Sequence, residues 1–197
     1  MRIGVLGAGV VGPALAAGLA KHGHETRVGN RSGDAGGTYA EVADWAELVF
    51  LAVLGTAAVD VVTGVADSLA GKVLVDATNP LDFSSGRAEL FVRGDDSLGE
   101  QVQRAVPQVR VVKAYNTVNN ALMVDPDLPG GPPTMMLAGD DAAAKATVVD
   151  LLQSTGWEAA DLGGIECSRE LEQLCMTWVR IGVQTGTWGH AFKVLRG

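Results

Sequence analysis

The chain is poor in the residues that announce many activities. It has two cysteines, Cys167 and Cys175, and three histidines, and no cluster of them has metal-ligand spacing, so the sequence predicts no metal site. The two cysteines lie eight residues apart in a segment read as helix, a separation of about 12 Å that excludes a disulfide, and both are expected to be buried, reduced thiols. Fifteen lysines and arginines stand against 23 acidic residues, giving a formal charge of −8 with no basic stripe, which argues against a nucleic-acid partner. No apolar run is long enough to span a bilayer, and the apolar start is broken by glycines, so neither a membrane partner nor a secretion signal is expected. The prediction is a cytoplasmic protein.

What is abundant is glycine, 26 of 197 residues, in a chain that is 47% hydrophobic. That composition fits a compact globule with many tight turns. Arg2–Leu6 reads as a strand, Val10–Lys21 as a helix, His24–Gly29 as a second strand and "LVFLAVL" (48–54) as a central one buried on both faces. A helix is expected over 57–69 and a strand over 72–77. A helix over 97–105, strands over 110–114 and 134–138, and a helix opened by Asp140 or Asp141 and closed at Gly156 follow. Alternation of this kind predicts an α/β, Rossmann-type doubly wound, mostly parallel sheet with a C-terminal helical segment, Ser168–His190. The division is a nucleotide-binding domain over 1–160 and a small helical region over 161–197. Trp178, Trp188, Met176 and Phe192 in that region are read as core or homodimer packing, a flavin or haem pocket being the other option.

The first strand runs straight into "GAGVVG". Gly7 permits the tight turn, Gly9 a close backbone approach to a pyrophosphate and Gly12 close packing of the helix, so Gly7, Ala8, Gly9, Val10, Val11 and Gly12 are expected to bind a dinucleotide. The second strand ends in "GNRS" without the carboxylate that would hold an NAD ribose. Arg31, with Asn30 and Ser32 beside it, offers donors for a 2′-phosphate and favours NADP, while Asp34 either orients the guanidinium or competes with the phosphate. Beyond the other strand ends, Leu54, Gly55 and Thr56, Asn79 and Pro80, and Asn116 with Thr117 are expected to line the nicotinamide side.

No strong acid or base stands out there. His22 and His24 read as surface residues, Lys113 lies within a strand, and a Ser-Tyr-Lys arrangement is missing. A polar cleft of this kind suits hydride transfer to a flavin-like ring better than alcohol oxidation. Asn116 and His190 are the candidates for groups acting on the reaction.

The stretches "MRIGVLGAGVVGPALAAGLAKHGHETRVGNRS", "DATNPL", "VVKAYNTV", "MMLAGDD" and "SRELEQLCMTW" together resemble the reduced coenzyme F-420:NADP oxidoreductases, which share their cofactor domain with membrane ferric reductases. The resemblance implies a Rossmann domain, a homodimer, and direct hydride transfer between NADPH and a deazaflavin co-substrate lying against the C-terminal region, near Trp188 and His190. Two departures stand out. The family's hydroxyl residue before the phosphate-binding arginine is Asn30 here, and the histidine of archaeal members before Thr117 is Asn116. Other readings of the same residues are an NADP-dependent reductase of another small molecule and an NADP-binding redox sensor without turnover.

Overall fold

The computed structural model describes residues 1–197. Its elements in order are β1 (Arg2–Leu6), α1 (Val11–Lys21), β2 (Glu25–Gly29), α2 (Tyr39–Trp45), β3 (Leu48–Leu51), α3 (Gly55–Gly64), α4 (Ala66–Leu69), β4 (Val73–Asp76), β5 (Leu81–Asp82), β6 (Glu89–Leu90), α5 (Leu98–Ala105), β7 (Arg110–Lys113), β8 (Thr134–Leu137), α6 (Ala142–Ser154), β9 (Glu158–Asp161) and α7 (Ser168–Thr185). Five parallel strands in the order β2-β1-β3-β4-β7 form the main sheet, the expected α/β Rossmann arrangement. The order turns back between β1 and β3, which places a crevice beyond their carboxyl ends.

Strand alternation feeds two cores. Ile3, Val5, Leu48, Phe50, Val73, Val75 and Val112 pack with α1 and α6 on one face. Leu6, Val49, Leu51, Leu74 and Val111 pack with α2, α3 and α5 on the other. Burial on both faces is why these strands read as continuous apolar runs rather than alternating ones. β8 and β9 form their own parallel pair, joined to the end of β7 by the Lys113–Ala138 bridge.

Several expectations need correction. The helix drawn over 57–69 is two, α3 and α4, interrupted at Val65. The C-terminal helix stops at Thr185 because Gly186 takes a left-handed conformation (φ 70°), so His190 lies beyond it. Cys167 sits in a 3-10 turn ahead of α7 and is half-buried, whereas Cys175 is buried within the helix. His22 and His24 are half-buried rather than surface groups. α2, the β5–β6 hairpin and β9 were not foreseen.

The boundary drawn at 160 falls inside β9. The segment beyond it does not hang free: after α7 the chain runs back along β8, where the Thr134 amide donates to the Phe192 carbonyl at 2.9 Å and the Val194 amide to Thr134 Oγ1 at 3.1 Å. No helix is long and apolar enough to cross a membrane.

Candidate functional site

The loops that leave the carboxyl ends of the strands touch one another in sequence and make one continuous rim. The Gly7 amide donates to the Gly29 carbonyl at 3.0 Å, joining the loops after β1 and β2. Gly7 has φ 135°, and a Cβ there would lie 2.2 Å from the Ala52 carbonyl oxygen, so the loops after β1 and β3 meet where only glycine fits. At Gly55 a Cβ would come within 2.1 Å of the Asn79 carbonyl oxygen, bringing in the loop after β4. Asn79 Nδ2 donates to the Asn116 carbonyl at 2.8 Å and Asn116 Nδ2 to Asn79 Oδ1 at 3.0 Å, a reciprocal clasp with the loop after β7.

Two helices begin on this rim with bare N-termini. α1 starts after Val10 and α3 after Leu54 with no side-chain cap, whereas α2, α5 and α6 are capped by Thr38, Ser97 and Asp141. Unpaired amides at the positive end of a helix dipole are what a pyrophosphate takes. A Cβ at Gly12 would lie 1.8 Å from the Gly7 carbonyl oxygen, so α1 can pack this close to the turn only with glycine. At Gly9, by contrast, a Cβ would meet nothing within 4 Å, which leaves the loop backbone open to approach from the cleft. Val10 and Leu54 are exposed at 74% and 79%, apolar surfaces of the kind a nucleotide's rings cover. Ala8 and Thr56 are exposed beside them, Val11 is half-buried and Pro80 is buried. These residues fit a dinucleotide.

At the end of β2 the structure shows which neighbours Asp34 engages. Its carboxylate accepts from Asn30 Nδ2 and from Ser32 Oγ at 2.8 Å, and the Gly33 amide donates to Asn30 Oδ1 at 2.7 Å. The bond from Asn30, then that from Ser32, holds the Asp34 carboxyl below the usual aspartate range. Asp34 therefore shapes the turn through Asn30 and Ser32 rather than through Arg31. Arg31 is exposed, and no residue of the chain engages its guanidinium.

Asn116 is buried. Its amide nitrogen is shared between Asn79 Oδ1 and the Leu171 carbonyl of α7 at 2.9 Å, and its Oδ1 has no partner. The backbone kink that puts it there is at Tyr115, fully buried with φ 61°, a left-handed conformation that costs a non-glycine residue about 1–2 kcal/mol. His190 lies with the C-terminal tail. Its Nε2 is 3.1 Å from the Trp178 carbonyl oxygen, its own carbonyl accepts from Trp178 Nε1 at 3.0 Å, and its ring stacks on Trp178 at 5.0 Å. Trp188 closes against Trp178 at 5.3 Å, and its carbonyl accepts from Asn119 Nδ2, in the loop that follows Asn116. The rim thus brings together the expected residues from Gly7 to Asn116, while His190 belongs to an adjoining aromatic cluster on α7.

Lys113 reads in the sequence only as a residue within a strand. It is fully buried and pairs with Asp76 at 2.9 Å and with Glu172 at 3.0 Å, directly beneath the Asn79 loop. Each partner is remote in sequence, and the one available signal is a lysine directly after two valines in a strand whose other charged residue, Arg110, stands at its start.

Residues 2–80 match the family described as NADP oxidoreductase, coenzyme F420-dependent. Over its whole length the chain is 42% identical to a candidate F420-dependent NADP reductase from Arthrobacter sp. FB24, covering all of that chain with a TM-score of 0.94. It is 28% identical over 88% of its residues to the metalloreductase STEAP3 of Rattus norvegicus, and 29% identical over 65% to the F420-dependent NADP reductase of Methanocaldococcus jannaschii. It spans 36% of the length of the first of these two and 58% of the second. The F420-dependent NADP reductases are oxidoreductases of NADP and coenzyme F420, and the chain belongs to that family.

Proposed function

We propose that the protein transfers a hydride between NADPH and the deazaflavin coenzyme F420. When bound, NADPH supplies a hydride equivalent, and ring-to-ring transfer asks for orientation more than for proton handling by side chains. The observation that carries the reading is the rim: two bare helix N-termini, a glycine open to the cleft, and an unengaged arginine at the end of β2. Gly7 to Gly12 would hold the pyrophosphate. Arg31, with Asn30 and Ser32, would hold the 2′-phosphate, and Leu54, Gly55, Thr56, Asn79, Pro80 and Asn116 would border the nicotinamide.

Asn116 and His190 enter as the residues acting closest to the reaction. The unpartnered Oδ1 of Asn116 supports its role as an acceptor near the nicotinamide, and the loop holding it ends beside the Trp188 and His190 cluster. Residues 161–197 would form the acceptor side and 1–160 the cofactor side. Homodimer formation belongs to the same reading, supported by the exposed Phe83, Ile181, Val183 and Trp188 beside α7. So does a cytoplasmic location, supported by two free thiols.

Titration with NADPH and NADH, followed by mixing with F420 and with flavin mononucleotide, tests the proposal. Tight NADPH binding and oxidation by F420 is the expected result. Binding of NADPH with oxidation by neither acceptor would favour a redox sensor, and oxidation by flavin mononucleotide alone would transfer the assignment to another acceptor.

A further inference from the structure

A lysine without access to water sits under the cofactor cleft. Lys113 Nζ donates to Asp76 Oδ2 at 2.9 Å and to the Thr78 carbonyl at 2.7 Å, and lies 3.0 Å from Glu172 Oε1. Three N–H bonds thus meet three acceptors. Asp76 accepts in addition from the Thr78 amide at 2.9 Å and the Thr78 hydroxyl at 2.7 Å. Glu172, on α7, accepts from the Leu98 and Gly99 amides at 3.0 Å each, at the start of α5. Burial acts to lower the ammonium of Lys113, but the two carboxylates outweigh it and hold it above the ordinary lysine range.

A buried ionic cluster is a weak source of stability, since apolar side chains of similar volume often serve as well. What this one supplies is geometry. Its acceptors lie on three separate pieces of chain, the end of β4, the loop after it, and α7. Thr78 is followed by Asn79, which clasps Asn116, and Asn116 donates to the carbonyl of Leu171, the residue before Glu172. The bonds therefore close a ring that leaves α7 at Glu172, passes through Lys113, Thr78, Asn79 and Asn116, and returns to α7 at Leu171.

We propose that Lys113, Asp76 and Glu172 are positioning residues for hydride transfer, holding the Asn79–Asn116 clasp at a fixed distance from α7 so that the cofactor and acceptor sides of the cleft stay in register. The inference rests on the proposed reaction and adds a role for residues outside the cleft itself. None of the three touches the reacting atoms.

The test uses a paired substitution, Lys113→Met with Asp76→Asn. It leaves the formal charge of the cluster unchanged, keeps an oxygen for Thr78, and keeps the two amide donors of Glu172. Single-turnover hydride transfer to F420 should fall about a hundredfold, the scale of a misplacement near 1 Å, because the clasp is released. The NADPH dissociation constant should move less than about threefold, because the phosphate anchors are untouched. Amide hydrogen exchange should quicken at residues 78–79 and 116 with the sheet still protected. A folded variant with the wild-type rate and wild-type exchange at those residues overturns the proposal, and so does a loss of protection spread evenly over the sheet. If the unaltered protein transfers no hydride to F420, the proposed function fails while the exchange result still judges the positioning role. If the paired variant does not fold, Glu172→Gln decides. It removes the charge that faces Lys113, costs one of the Leu98 and Gly99 amides its acceptor, leaves the Asn116–Leu171 bond in place, and should raise the acceptor KM about tenfold with NADPH affinity unchanged; an unaltered acceptor KM overturns the proposal.

Discussion

Removing the guanidinium of Arg31 should separate the two nicotinamide cofactors. In the folded chain this group is exposed and unengaged, so Arg31→Ala deletes no internal bond and leaves the fold intact. A hydrogen bond to a charged group contributes about 1.5–3 kcal/mol. The lower end applies here, because the site faces water and Asp34, ionised at neutral pH, lies three residues away. A loss of about 1.4 kcal/mol should raise the NADPH dissociation constant about tenfold and leave NADH nearly unaffected. Fluorescence titration of both cofactors at low and moderate salt is the assay. The difference should shrink as salt rises, since charges at the surface are screened over about 8–10 Å near physiological ionic strength. Asp34→Asn sharpens the test: an amide oxygen still accepts from Asn30 and Ser32, the repulsion toward a phosphate is gone, and NADPH should bind more tightly. Equal weakening of NADPH and NADH by Arg31→Ala would refute the reasoning, since it would mean that Arg31 supports the loop and does not select the phosphate.

Gly12→Ala should destabilise the protein by about 1–3 kcal/mol in denaturant titration, because the new methyl meets the Gly7 carbonyl, and should weaken both cofactors together. Glu100 is held below the usual glutamate range by Arg169, with burial opposing and Ser97 assisting. A carboxyl depressed by folding contributes stability above its unfolded value and loses it as pH falls through the folded one. The melting-temperature deficit of Glu100→Gln should therefore be present at pH 7 and vanish in acid below the ordinary glutamate range; a deficit independent of pH would refute the assignment. His190→Ala should lower F420 turnover without altering NADPH affinity, and an unchanged rate would remove His190 from the site. Burial pushes the Cys175 thiol up to about 12, so alkylation at pH 8 should reach it only after unfolding.

The parts of this molecule that could be read from sequence are those written in adjacent letters. "GAGVVG" after a β-branched run specifies a turn that one stretch of backbone makes by itself, and "LVFL" declares a strand covered on both faces. α2 carries a local signal: Thr38 and Glu41 form a capping box, the T-x-x-E signature of a helix start. β9, "EAAD", carries no strand propensity and is a strand only because β8 offers it a ladder. The partners of Lys113 could not be read at all, since Asp76 lies 37 positions away and pairing depends on which strands become neighbours. The part played by Asp34 was hidden for another reason: spacing along the chain does not say which neighbour a short side chain will choose.

The bonds from α7 into the clasp have a consequence for how the protein can be taken apart. A chain cut after β9 would lose Glu172 and Leu171 together, leaving the first amides of α5, the charge of Lys113 and the amide of Asn116 each short of an acceptor. Residues 1–161 are therefore no interchangeable cassette. Grafting them onto another C-terminal region would require a replacement helix that presents a carboxylate and an accepting carbonyl on adjacent residues, at the place where α7 now presents them.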